Sequence, residues 1–394
     1  MHTPKDERNH SMRIQRAALV IVSATALAAC GASPTSSPTG SPASTSGSVG
    51  TAPSPTPTRA SFMPLLVAFT GVDPDRGMLM LASGQTTGPM PSGSIIGGDA
   101  TLAISGPFGA RMIGTDGQQV AGPGGPVSIV AVSSDGTVTT LEKNVAGSPS
   151  VVGRDDGQAW AWAVQTNSPA CGSSTGAAFD IYTDDGNGAR KIGSASFGAG
   201  VTQVSLVAWT TAGIVASGDN TCGGPADPST LAISPAILID PATGAATDLA
   251  SRIGTDCSFQ DIADDGTIVC TVVGSAPALR VIAPDGTQTN YSISGLTSRQ
   301  CIDGGVQLSA DASFAAVSIS CPTASGIRLV LLDLASGHVV TVTGVSNLAP
   351  TLWTPDDILI ATDFGGHKTY SVATSGMATL INATYAAQTC INSC

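Results

Sequence analysis

LAPTLWTPDDILIAT (348–362) sets two short apolar runs on either side of a Pro-Asp-Asp turn. KTYSVATSGMATLI (368–381) follows with the same plan around Thr-Ser-Gly, its second run more polar. Neither stretch repeats apolar residues at helical spacing. Short runs rich in β-branched residues and bounded by turn residues read as hairpins. Two hairpins in succession make a four-stranded meander.

The same pair recurs upstream. GVQLSADASFAAVSIS (305–320) precedes LVLLDLASGHVVTV (329–342), and SFQDIADDGTIVCTVV (258–273) precedes LRVIAPDGTQTNYSI (279–293). VSLVAWTTAGIVAS (204–217) precedes AILIDPATGAATDL (236–249), and SVVGRDDGQAWAWAV (150–164) precedes FDIYTDDGNGARKI (179–192). AVSSDGTVTTLEK (131–143) is a further polar hairpin. The comparable turn residues Asp156, Gly213, Asp265, Asp311 and Asp356 lie 57, 52, 46 and 45 residues apart. Four strands repeating every 40–50 residues or so is the pattern of propeller blades. The expected fold is all-β: one β-propeller of four-stranded blades over 62–394, with seven blades, or six as the alternative count. The first strand, 62–71, is expected to complete the last blade and close the ring.

Pro350, Thr351, Leu352, Trp353, Thr354, Pro355, Asp356 and Asp357 resemble the P-x-W-S-P-D-G signature of TolB-type, WD-like propellers, with one extra residue before Trp353. ILIDPATG (237–244) and LLDLASG (331–337) are similar to the companion turn of those repeats. The resemblance covers 126 onward and fades over 62–125. It implies architecture and leaves function open.

The N-terminus carries Lys5, Arg8, Arg13 and Arg16, then an uncharged run over 17–29. This is the pattern of a secretory signal peptide (1–29), and thirteen residues are too few for a helix to span a hydrocarbon core of about 30 Å. Met12 is an alternative start. Leu27, Ala28, Ala29 and Cys30 resemble the bacterial lipobox. That resemblance implies cleavage before Cys30 and lipid on its sulfur, with the membrane as a partner through that anchor. Residues 30–61, rich in Ser, Thr and Pro, read as a disordered tether.

Beyond Ala29 there are 12 Lys and Arg against 26 Asp and Glu, so nucleic acid is not an expected partner. Nearly all the acids are Asp at turn-like positions, where Asp bonds its own backbone and Gly supplies positive φ. Ser133-Ser134-Asp135-Gly136-Thr137 lacks the spacing and Trp of a sialidase Asp-box. Eight cysteines remain besides Cys30: Cys171, Cys222, Cys257, Cys270, Cys301, Cys321, Cys390 and Cys394. An even number in an exported chain reads as disulfides, with connectivity open. Position favours Cys257 with Cys270, Cys301 with Cys321, Cys171 with Cys222, and Cys390 with Cys394. A metal or redox site is the rival reading, and no C-x-x-C supports it.

No G-x-S-x-G elbow, P-loop or H-E-x-x-H is present. His338 and His367 follow glycines at turns and read as solvated, as do Arg154, Asp155 and Asp156. Trp160 and Trp162 share one strand face and read as packing between blades, and Trp209 and Trp353 read as a repeated core position. The expectation is a monomer without cofactor or metal and not an enzyme, a lipid-anchored extracytoplasmic propeller that recognises an envelope protein, peptide or glycan. The alternatives are a lyase or glycan-cleaving enzyme, metal-dependent or not, with a site in the central channel, and a structural envelope protein.

Overall fold

The computed structural model describes residues 65–69, 78–89, 96–106, 109–116, 126–147, 149–154, 159–219, 235–254, 256–272, 278–294, 302–320, 326–354, 356–363, 368–384 and 386–388. They form seven four-stranded antiparallel sheets, the blades of a seven-bladed β-propeller. Blade 7 is the hairpin pair first read in the sequence: Leu348–Trp353, Leu359–Asp363, Lys368–Val372 and Ala378–Asn382. Blade 6 comprises Ile302–Leu308, Phe314–Ile319, Arg328–Asp333 and Val339–Thr341. Blade 5 comprises Cys257–Ile262, Ile268–Val272, Leu279–Ile282 and Gln288–Tyr291. Blade 4 comprises Gln203–Thr210, Gly213–Asp219, Ala236–Ile239 and Ala246–Asp248. Blade 3 comprises Ser150–Gly153, Trp160–Gln165, Ala178–Asp184 and Arg190–Ser196. Blade 2 comprises Ile96–Gly106, Gly109–Asp116, Val127–Ser133 and Val138–Val145. Among the described residues one helical turn, Ala250–Ile253, is the exception to the all-β reading.

Ring closure differs from the sequence-based expectation. Blade 7 is complete without the N-terminal strand. Blade 1 holds Leu65–Phe69, Met78–Leu81 and Thr86–Pro89, and the C-terminal strand Ala386–Gln388 supplies its fourth member. That strand pairs antiparallel to the first, with Val67 opposite Gln388 and Phe69 opposite Ala386. The closing strand therefore comes from the end of the chain.

Burial explains why the apolar runs lack strict alternation. A middle strand has a neighbouring blade on both faces. In Phe314–Ile319 the five residues after Phe314 are all buried, as are Leu359, Ile360 and Ala361. The last strands lie at the rim and are polar, with Ala246–Asp248 exposed throughout. The cores are seams. Ile113, Ile129 and Val145 of blade 2 meet Trp160 and Trp162 of blade 3, and Phe179 meets Leu206 and Trp209 across the next seam. Met80 and Ala82 of blade 1 meet Leu352 and Ile360 of blade 7. The two tryptophans of QAWAWAV are buried in packing, and Trp162 stacks on Tyr182 with centroids 5.4 Å apart.

First strands of successive blades pack against one another from blade 2 to blade 7 and line the axis. Their inner edges are cross-linked. The Leu206 amide donates to Ser150 Oγ at 2.8 Å, and the Leu308 amide donates to Asp261 Oδ2 at 2.8 Å. Gln307 Nε2 donates to the Thr351 carbonyl at 3.0 Å. The register shifts between Pro350 and Leu352, a β-bulge that accommodates the extra residue before Trp353.

Candidate functional site: the turn face and the groove between blades 6 and 7

In an antiparallel meander the first-to-second and third-to-fourth turns emerge on the same side. One face of the ring therefore collects the first-to-second and third-to-fourth turns of the described residues, and with them the turn aspartates. Asp135, Asp185, Asp240, Asp285 and Asp333 stand in third-to-fourth turns, while Asp264, Asp265, Asp311, Asp356 and Asp357 stand in first-to-second turns. The turn reading of these residues holds. Asp135 Oδ1 accepts the Thr137 amide at 2.9 Å, and Asp285 Oδ1 accepts the Thr287 amide at 2.9 Å. The Thr243 hydroxyl and the Ala242 amide hold Asp240 below the ordinary carboxylate range. Burial pushes Asp311 up, but the hydroxyl and amide of Ser313 and the Ser309 hydroxyl outweigh it. The face thus carries fixed negative charge.

Neighbouring turns also bond to each other. The Thr211 amide donates to the Asp264 carbonyl at 3.1 Å, and the Asp264 amide donates to the Ala310 carbonyl at 3.2 Å. The result is a chain of backbone bonds running across blades 4, 5 and 6. Turns tied in this way form a cross-bonded platform.

Between blades 6 and 7 the platform opens into a groove of about 280 Å³, lined by Phe314, Leu331, Val340, Asp333, His338, Thr374 and Ser375. Its floor is aliphatic and aromatic. Trp353 backs Phe314, with centroids 6.1 Å apart, and donates its Nε1–H to the Gln307 carbonyl at 3.2 Å. Its walls are turns. Asp333 Oδ1 accepts the Ala335 and Ser336 amides at 2.9 and 3.0 Å. These amides, that of Ser336 foremost, and the nearby His338 keep its carboxyl below the usual range. His338 is exposed beyond Gly337, as the sequence implied, and its ring makes no hydrogen bond among the described residues. The groove nevertheless brings it beside a carboxylate and two hydroxyl side chains. Met377, two residues past Ser375, is 64% exposed.

The other predicted residues fall as follows. Cys257 and Cys270 form a disulfide across the first two strands of blade 5. Cys171 is disulfide-bonded to a partner beyond the described residues. Cys30, Cys222, Cys301, Cys321, Cys390, Cys394, His367, Asp155 and Asp156 lie outside the described residues, as do the signal peptide and tether. Arg154 sits over the Trp209 ring at 5.7 Å, a cation–π contact that the solvated reading missed. Glu142 was also missed. It lies in the last strand of blade 2, where burial and the Asp184 carboxyl raise its pKa to about 7. Among the described residues no three His, Cys, Asp or Glu side chains converge as metal ligands, and no helix is long and apolar enough to cross a membrane.

No family model and no curated protein matches the chain. Solved structures do. An acylaminoacyl peptidase bound to a chloromethyl ketone is similar at 12% identity and TM-score 0.50, over 82% of this chain and 52% of the peptidase. The chain thus spans about half of that enzyme's length. TolB from Acinetobacter baumannii is similar at 16% identity and TM-score 0.42, over 73% of this chain and 67% of that one. An oligogalacturonate lyase bound to manganese is similar at 11% identity and TM-score 0.48, over 79% and 82%. At such identities the likeness is one of fold. The chain is a seven-bladed β-propeller, and TolB stands among its structural neighbours. The expectation that it is not an enzyme is corrected by this comparison. Enzymes stand among the neighbours as well, so the lack of a familiar catalytic motif does not exclude catalysis.

Proposed function

We propose that this propeller is a lipid-anchored, extracytoplasmic recognition protein that binds an envelope protein, peptide or glycan on its turn face. The groove between blades 6 and 7 carries this reading: an apolar floor with a polar rim, set in a cross-bonded platform. Binding residues are commonly held on loops by a rigid scaffold. The Cys257–Cys270 disulfide supports an oxidising compartment, and the lipobox-like Cys30 supports attachment there.

The test is cross-linking in the native envelope, followed by mass spectrometry. One stoichiometric partner, cross-linked through turn-face residues, is the expected result. Turnover of an envelope polymer with no partner recovered would overturn the reading. Fractionation tests the anchor: Cys30→Ala should leave the membrane fraction with its fold intact, and retention after a carbonate wash would refute it.

A further inference from the structure

We infer that the groove between blades 6 and 7 takes one apolar side chain of a basic peptide segment, with Lys or Arg residues on either side of it. The inference rests on the recognition reading and adds the chemistry of the ligand.

Size comes first. At about 280 Å³ the groove falls at or below the small end of small-molecule sites, which begin near 300 Å³. It suits a side chain better than a free ligand of cofactor size. Its floor is Phe314, Leu331 and Val340, and Trp353 behind Phe314 fixes the aromatic ring. Such a floor gains by covering its carbon atoms and offers nothing to a sugar hydroxyl.

Charge decides what flanks that side chain. Asp333 forms part of the wall. Asp311 lies in the turn just before Phe314, and Asp356 in the turn just after Trp353. Asp333 is the carboxylate on the groove itself, and Asp311 and Asp356 belong to neighbouring turns of the same acidic face. The Lys and Arg residues of blades 6 and 7 among the described residues are Arg328 and Lys368. Each begins a third strand, at the end away from the turn face. Among the described residues no Lys or Arg lines the groove. A segment with Lys or Arg around a leucine-like residue matches both the floor and the rim, whereas an acidic segment matches the floor alone.

The probe is a fluorescein-labelled Lys-Lys-Leu-Lys-Lys peptide, titrated by anisotropy with the full chain in detergent. Glu-Glu-Leu-Glu-Glu and Lys-Lys-Gly-Lys-Lys serve as controls. The lysine–leucine peptide should bind at least about tenfold more tightly than either control, and Val340→Arg should weaken it by at least about tenfold. Should Val340→Arg fail to fold, Ser375→Arg on the exposed turn closes the same opening. No binding, equal binding of the glycine peptide, or full affinity in the folded arginine variant would each overturn the inference. A partner cross-linked in the envelope through another surface, unaffected by Ser375→Arg, would sink this site and leave recognition standing.

Discussion

Gly244→Ala should be among the most damaging single-methyl changes in the ring. Gly244 closes the third-to-fourth turn of blade 4, where its amide donates to the Asp240 carbonyl at 2.8 Å and its φ is +71°. A Cβ there would stand 1.8 Å from the Ile192 carbonyl oxygen and 2.6 Å from its carbon, in the last strand of blade 3. Gly193 makes the reciprocal approach to the Gly244 oxygen, where a Cβ would lie at 2.7 Å. Both obstacles are backbone, so relief requires moving one blade against the next. Gly337 provides the control. It closes the same turn in blade 6 at φ +72°, but its Cβ would meet only the edge of Tyr291 at 3.7 Å. Gly337→Ala therefore carries the left-handed backbone cost alone, about 1–2 kcal/mol. Gly244→Ala carries that cost plus overpacking of about 1–3 kcal/mol, for a total of about 2–5 kcal/mol. Urea titration reads both as midpoint shifts at constant slope. Equal losses, within about 0.5 kcal/mol, would show that the close approach between blades 3 and 4 contributes nothing and would refute the argument.

Ala312 holds φ +56° at the place where blade 5 has Gly266 at +89°. Ala312→Gly should raise stability by roughly 0.5–1 kcal/mol, the left-handed strain relieved less the added freedom of the unfolded chain, and a lower melting temperature would contradict this. Replacing Cys257 and Cys270 together by Ala opens a loop whose ends are 13 residues apart and should cost about 3 kcal/mol. Calorimetry that finds the double variant as stable as the parent would count against the bond. Glu142 is raised from 4.5 to about 7 by burial first and Asp184 second. The folded chain thus binds a proton that the unfolded chain releases, so stability should fall as pH rises from about 4.5 to about 7. Glu142→Gln should flatten that slope in melts across the range, and an unchanged slope would place the titration elsewhere.

The repeat was legible because turn chemistry punctuates it. Asp-Gly and Pro-Asp-Asp stand at fixed places, and middle strands sandwiched between blades read as apolar runs. The extra residue before Trp353 was visible as a departure, and the bulge between Pro350 and Leu352 explains it. Ring closure was not legible. Ala386–Gln388 is only Ala-Ala-Gln, with no alternation and no turn mark of its own, and its pairing with Leu65–Phe69 joins opposite ends of the chain. Glycine was half legible. Positive φ follows from Thr-Gly and Asp-Gly, but nothing local tells Gly244, pressed on Ile192, from Gly286, where an added Cβ would meet nothing within 4 Å. That difference depends on how closely the neighbouring blade packs.

The same limit hid the groove. Phe314, Leu331 and Val340 look like ordinary strand residues, and period-two alternation assigns them a face without saying how fully that face is covered. The groove exists because the turn 373–377 meets blade 6 through Gly376, against Val340 and Thr341, and leaves space beside that contact. The acidic face, by contrast, follows from sequence and topology together. A chain that uses Asp to stabilise its tight turns, and whose meanders bring those turns to one side, becomes acidic there whatever its function. Charge alone is therefore weak evidence of a ligand, because turn chemistry already accounts for it. Phe314 and Val340, both only partly buried where they line the groove, serve no turn. Apolar surface beside the Asp333 carboxylate is what turn formation does not require, and it is why we propose the recognition site at this seam and not over the whole acidic face.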